Sequence, residues 1–324
     1  MNNAEFIITL TLIKGLGRKT INKIIRQGRV NGLETSETID YLNNFNLKIK
    51  RIITKDELEN ANKTAQNTIE ICKKENIKIC TILDEDFPKK LKNIDDNPVI
   101  LYYKGNKNCL NDKCIAIIGS RNPSLHGSKV SYKISYILSQ RGYVIVSGLA
   151  NGCDTFAHLG SLDSLGRTVA VMPCGLNIVY PKQNQDLFNK IIQNNGCVMS
   201  EYPPNQNVSK YQLVERDRLQ SALSQGIIVI ETAINGGSFH AVNHGLKHNK
   251  IIGCYKHSDD YINLKSVQGN LKLLQNTNIM KIWDEESLNN FTEKVNDIFN
   301  LEKNKHNNLY KNLEQLQFDF YNTY

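Results

Sequence analysis

Between about residue 110 and residue 285, short and nearly continuous apolar runs alternate with helical stretches. The runs are "CIAIIG" (114–119), "YVIVSG" (143–148), "TVAVMP" (168–173), "CVMSEY" (197–202), "IIVIET" (227–232) and "IIGCY" (251–255). A strand exposed on one face alternates apolar and polar residues. A run without that alternation is buried on both faces, as in a parallel sheet covered by helices on each side. The intervening segments supply the helices: in "SKVSYKISYILSQ", Val130, Ile134, Ile137 and Leu138 fall on one helical face. The pattern predicts an α/β fold, a doubly wound Rossmann-like parallel sheet.

The flanks differ. Residues 1–80 read as a small N-terminal helical domain of helix-hairpin-helix or SAM-like type, 81–285 as the Rossmann domain, and 286–324 as a polar, Asn- and Lys-rich helical tail. In "FIITLTLIKGLGRKTINKIIRQG", two amphipathic runs flank Gly15-Leu16-Gly17. Such a hairpin lets backbone N–H groups approach a phosphate at a helix N-terminus, or it is only a tight turn. A further helix is expected over Lys55 to Glu75. No apolar run reaches the roughly 20 residues that span a bilayer. The N-terminus lacks a basic n-region and a small-residue cleavage site, so a cytoplasmic protein is expected. The eight cysteines form no CxxC pair, which suits buried free thiols in a reducing compartment. The net charge is +8, and Pro88 to Arg141 holds ten Lys or Arg against three Asp. That excess fits either a polyanionic partner or a lysine-rich solvated surface.

In an open parallel sheet, ligands bind beyond the carboxyl ends of the strands, near the point where strand order reverses. After the first predicted strand comes Gly119-Ser120-Arg121-Asn122-Pro123-Ser124, with Gly127 before the helix. This is not G-x-G-x-x-G, and the second strand ends Ser147-Gly148 without a ribose-binding acid, so both dinucleotide signatures are missing. No G-K-S/T is present, which excludes a P-loop. A glycine turn, two hydroxyls and an arginine at a helix N-terminus suit a phosphate oxyanion, with Arg121 offering a bidentate fork.

In "SGLANGCDTFAH", Gly148 and Gly152 permit a second backbone nest for an anion. Asp154 and His158 share a helical face and are expected to pair or cap locally. A Ser147–Asp154–His158 hydrolase lacks the G-x-S-x-G elbow. "ERDRLQSALS" puts Arg216 and Arg218 at the start of a helix, where cations are disfavoured. They read either as anion ligands or as ordinary partners of Glu215 and Asp217. In "ETAINGGSFHAVNH", Gly236-Gly237-Ser238 opens another helix, and His240, His244 and His248 line one face. Histidines four apart can hold a metal. No nearby Cys or carboxylate completes the set, and an exposed polar stripe explains the spacing, so no metal is expected. Three glycine turns thus converge on one sheet edge with backbone donors and no nucleophile–base pair. The chain reads as holding phosphate without transforming it.

"IAIIGSRNPSLHG", "VSGLANGCDTFAH", "VAVMPCGLNIVYPKQNQDLF", "MSEYPP", "ERDRLQSALSQGIIVIET" and "GGSFHAVNHGL" stand in the order seen in the DNA-processing protein A family (DprA, also called Smf). "LDEDFPKKLKNIDDNPVILYYKGN" resembles the segment that precedes that family's core. The resemblance covers roughly residues 80 to 257. It implies binding of single-stranded DNA with little sequence preference, a homodimer, and help in loading a RecA-type recombinase during natural transformation. It implies no enzymatic activity, no cofactor and no membrane. The family's motif residues fall on Arg121, Ser147, Gly148, Arg216, Arg218, Gly237 and Ser238. With Gly119, Ser120 and Ser124 of the first loop, these form the expected phosphate-binding set, and Phe156 and Tyr180 are candidates for base stacking.

The sequence also departs from that pattern. The family's R-N-R-I-I reads Arg216-Asp217-Arg218-Leu219-Gln220, which adds a negative charge, and Ala241 stands where a threonine is usual. The winged-helix domain at the C-terminus of many members is expected to be absent or reduced. The alternative is a Rossmann-fold small-nucleotide enzyme or sensor. "INGGSFHAVNH" loosely resembles the PGGxGTxxE loop of the Lonely Guy phosphoribohydrolases, with His244 near the place of the missing Glu.

Overall fold

The structure is a computed structural model that describes residues 2–27, 35–44 and 52–321. Residues 28–34 and 45–51 of the expected N-terminal helical region, and 322–324 of the expected tail, lie outside the described residues. The strands are β1 (Lys78–Thr81), β2 (Ile100–Gly105), β3 (Cys114–Ile118), β4 (Val144–Ser147), β5 (Thr168–Val171), β6 (Cys197–Ser200), β7 (Gly226–Val229), β8 (Ile251–Tyr255) and β9 (Ile279–Ile282). Four helices precede the sheet: α1 (Asn3–Leu12), α2 (Arg18–Arg26), α3 (Thr35–Asn44) and α4 (Lys55–Lys74). The others are α5 (Lys89–Lys92), α6 (Leu125–Gln140), α7 (Cys153–Asp163), α8 (Gln185–Gln193), α9 (Lys210–Leu223), α10 (Ser238–Lys247), α11 (Gln268–Leu273) and α12 (Glu285–Tyr321).

One sheet runs β1-β2-β6-β5-β4-β3-β7-β8-β9. The six strands expected from the sequence are all present and mutually parallel, and β9 continues the parallel array beside β8. The sheet extends further than the sequence pattern indicated, because β2 adds antiparallel to β6 and β1 antiparallel to β2. Strand order reverses at β3, which pairs with β4 on one side and β7 on the other. That is the switch point of a doubly wound sheet, and the loops after β3, β4 and β7 meet there.

Burial on both faces follows the period of two. Ile115 and Ile117 of β3 pack with Val130, Ile134 and Leu138 of α6 and with Phe291 and Val295 of α12. Ala116 and Ile118, on the other face, pack with Leu219 and Leu223 of α9 and Val242 of α10. A third cluster joins Ile7, Leu10 and Ile24 of the N-terminal helices to Tyr102, Ala170 and Val198 of the sheet, so those helices and the sheet share apolar contacts. All eight cysteines are buried free thiols, as expected. Among the described residues, no helix is long and apolar enough to cross a membrane.

Candidate functional site

The carboxyl ends of β3, β4 and β7, together with α9, enclose a cleft of about 410 Å³. Of the expected set, Gly119, Ser120, Arg121, Arg216, Gly237 and Ser238 line it; Ser124, Ser147, Gly148 and Arg218 do not. The three loops are tied together through their backbones. Ser120 N donates to Glu231 O at 2.6 Å, and Cys153 N donates to Ser120 O at 3.0 Å. Gly119 and Gly152 permit this approach: a Cβ on Gly119 would strike Cys153, and one on Gly152 would strike the carbonyls of Ser120 and Arg121. Gly152 also sits at φ +80°, a conformation that favours glycine.

Two of the three expected anion nests hold the protein's own carboxylates. At the N-terminus of α6, Glu231 accepts from Ser124 N at 2.8 Å and from Ser124 Oγ at 2.7 Å. Ser124 Oγ in turn caps the helix by accepting from Gly127 N at 2.9 Å. Glu231 is fully buried, so the positive end of the α6 dipole is met from inside. In the loop after β4, Asp154 accepts from Gly148 N at 3.1 Å and from Ala150 N at 3.3 Å. Asp154 therefore caps its own loop, while His158 turns away to Thr168 Oγ1 at 2.7 Å. Burial lowers the His158 pKa to about 3, so it stays neutral.

The third nest stays open. α10 begins at Ser238 with Gly237 as its cap, and among the described residues the Gly237 and Ser238 amides donate to nothing. Gly237 has open space where a Cβ would stand. Arg121, exposed at the rim, has no ion-pair or hydrogen-bond partner among the described residues. Most of the other basic residues between Pro88 and Arg141 point elsewhere. Lys107 pairs with Asp86, Arg141 with Glu285, and Lys90 with the carbonyls of Asp112 and Leu223. Arg121 alone of that basic group lines the cleft.

The two arginines of α9 have separate roles, and the position expected for them is corrected. The helix starts at Lys210, capped by Ser209, so Arg216 and Arg218 lie in its interior and not in its first turn. Two residues apart on a helix, they face different sides. Arg216 reaches the floor of the cleft, where Nη1 donates to Gly148 O at 2.5 Å and to Val171 O at 3.3 Å. A Cβ on Gly148 would collide with that guanidinium. Arg218, 3% exposed, is buried against Glu201. It belongs to a charge cluster in which Arg18, just after the N-terminal glycine hairpin, meets Asp96 at 2.6 Å and Glu215 at 2.5 Å. The arginine of that hairpin thus faces carboxylates of the sheet domain.

Ser147 is fully buried and donates to Ile117 O at 2.7 Å, so its hydroxyl braces β3 against β4. Phe156 does not line the cleft, and Tyr180 packs against the N-terminal apolar cluster. His240 lines the cleft and is exposed; His244 is half-buried, which lowers its pKa. Among the described residues, no three His, Cys, Asp or Glu side chains converge as a metal-ligand set. The sequence reading missed Glu231 and Gln220. An acid at the end of a central strand beside the switch point was the available signal for Glu231.

Asp217 completes the cleft. Its carboxylate lies 3.3 Å from Arg216 Nε, and burial pushes its pKa up to about 6. Arg216 opposes that rise and Asp154 adds to it. The cleft therefore combines an open helix N-terminus and a free arginine with a carboxylate that resists ionisation.

Residues 78–293 match the family model described as DNA recombination-mediator protein A. The chain is 41% identical over 158 residues to the DNA processing protein DprA of Streptococcus pneumoniae, a match covering 49% of this chain and 55% of that relative. The matched stretch thus spans about half of that relative's length. The crystal structure of S. pneumoniae DprA superposes with a TM-score of 0.75 at 27% identity, over 89% of this chain and 97% of that one. A structure of Helicobacter pylori DNA processing protein A, described for its single-stranded DNA binding mode, gives a TM-score of 0.59 at 28% identity, over 69% of this chain and 96% of that one. With the family match covering the whole sheet and the loops of the cleft, this chain belongs to the DNA recombination-mediator protein A (DprA/Smf) family.

Proposed function

We propose that this chain binds single-stranded DNA by its phosphate backbone at the cleft between Arg121 and the N-terminus of α10. The observation that carries the reading is the open nest: among the described residues Arg121 and the Gly237 and Ser238 amides have no partner, while the other two nests are filled by Glu231 and Asp154. Arg121 grips a phosphate with a bidentate fork, the two amides donate to a second oxygen, and Gly119 and Ser120 shape the wall. Arg216 and Gly148 position the floor, and Ser124, Ser147 and Arg218 hold the scaffold. The DNA-binding mode described for the H. pylori relative supports the same ligand class. The role is binding without catalysis. In the cell the chain acts in the cytoplasm as a homodimer that assists a RecA-type recombinase onto the bound strand.

The test is binding of a fluorescent oligo-dT strand over a salt series. Each phosphate neutralised on a single strand contributes about −0.7 to the slope of log K against log salt. Wild type binds with a negative slope, and Arg121→Ala weakens binding and makes the slope shallower by about 0.7. No binding of oligo-dT by wild type at low salt overturns the reading.

A further inference from the structure

We infer that the bound single strand continues out of the cleft onto the exposed face of α6, where Lys129 and Lys133 take successive phosphates and Tyr132 and Tyr136 stack on bases without regard to sequence. The inference rests on the phosphate site proposed above and deepens it. Arg121 stands at the rim of the cleft, and α6 starts at Leu125, just beyond it in the chain. With 3.6 residues per turn, Leu125, Lys129, Tyr132, Lys133 and Tyr136 share about a quarter of the helix circumference. Leu125 is 86% exposed, both lysines are exposed, and both tyrosines are half-buried. The opposite face sends Val130, Ile134 and Leu138 into the core.

A solvated helix face usually pairs its lysines with acids one turn away. α6 carries no Asp or Glu, and among the described residues neither Lys129 nor Lys133 has an ion-pair or hydrogen-bond partner. A solvated face is also polar, whereas this one sets an exposed leucine and two tyrosines beside the cations. The lysines stand one turn apart, about 6 Å along the axis. That step matches the distance between successive phosphates of an extended single strand. The tyrosine rings lie nearly parallel, at 20° with centroids 6.2 Å apart. Tyr132 Oη donates to Asp163 of α7 at 2.8 Å, and Gln140 Nε2 donates to Tyr136 Oη at 3.3 Å, so both rings are held in place. α7 packs on the flank of α6 that carries Ser131 and Ser139. The lysines lie on the other flank of the tyrosines, away from Asp163. Cations alone would take any polyanion. Rings beside them fit a strand whose bases are unpaired and free to stack.

Fluorescence anisotropy tests this with the full chain and an oligo-dT strand of about 16 nucleotides over a salt series. Lys129→Ala with Lys133→Ala should weaken binding and make the salt slope shallower by about 1.4, at about 0.7 for each phosphate lost. Tyr136→Ala should bind about fivefold more weakly with the slope unchanged, and Tyr136→Phe, which keeps the ring, should bind as wild type. Lys63→Ala with Lys73→Ala removes the same charge from exposed positions on α4 and should leave binding unaltered. An equal loss in that control overturns the lysine contacts, because charge at a distance then explains the effect. A change in only the lysine or only the Tyr136→Ala variant keeps that contact and overturns the other. Wild-type binding by both, with Arg121→Ala still weakened, overturns the inference and leaves the cleft standing. No binding by wild type overturns both.

Discussion

Replacing Asp217 by Asn removes a charge the fold resists while keeping nearly the same shape. The Asp217 pKa stands at about 6 against an ordinary 3.8, and that value already contains the attraction to Arg216. The rise corresponds to about 3 kcal/mol of destabilisation once Asp217 is ionised. An acid with a raised pKa contributes stability that is fully present below its unfolded value and is lost as pH rises through its folded value. The loss therefore develops between pH 3.8 and about 6. At pH 7.5 Asp217→Asn should be about 3 kcal/mol more stable than wild type, and near pH 4 the gap should shrink below about 1 kcal/mol. Urea unfolding followed by circular dichroism at the two pH values measures both. A variant no more stable than wild type at pH 7.5 would refute the reasoning, because Asp217 would then be a net-favourable partner of Arg216. The same substitution should strengthen oligo-dT binding at pH 7.5, and wild-type affinity for oligo-dT should rise as pH falls through 6.

Four further substitutions separate scaffold from site. Arg218→Met breaks the buried contact with Glu201 and should cost about 3–5 kcal/mol in urea unfolding, with no change in the salt slope of DNA binding. An altered slope would place Arg218 on the strand. Ser124→Ala removes a cap and a donor to buried Glu231, and should lower stability by about 1–2 kcal/mol without changing DNA affinity. Gly148→Ala collides with the Arg216 guanidinium and should lower both stability and DNA affinity, whereas Gly237→Ala, with open space at its Cβ, should fold as wild type. An unaltered Gly148→Ala protein would show that Arg216 does not fix the floor of the cleft.

The central strands were legible because two-sided burial writes itself as an unbroken apolar run, as in "CIAII" of β3. The outer strands were not. β1 begins exposed and β9 carries the exposed Lys281, so neither shows that run, and β2, whose Val99–Tyr103 run does, lies before the strand–helix alternation begins. Convergence of the glycine loops was legible from the topology alone, since all three follow strands at the switch point. What fills each loop was not. Glu231 meets Ser124 across more than a hundred residues of sequence, and only the packed sheet brings them together. The arginines were misplaced because Ser209, eight or so residues upstream, caps α9 and moves the helix start.

Those filled loops explain why the fold lacks a dinucleotide site. In a dinucleotide-binding sheet, the helix after the first central strand points its N-terminal amides at a pyrophosphate. Here Glu231 brings a carboxylate to that place on α6, and a Cβ on Gly127 would collide with it. A second anion there would face a buried negative charge at close range. Asp154 has the same effect on the loop after β4. The helix N-terminus left open to the cleft lies one strand over, at α10, where Gly237 and Ser238 face the cleft beside Arg121. An anion held at that edge sits at the surface with Arg121 on its exposed side. Under the DNA-binding reading proposed above, a linear polyanion therefore enters and leaves the cleft along the sheet edge. An enclosed pyrophosphate pocket would hold one small molecule and stop the strand there.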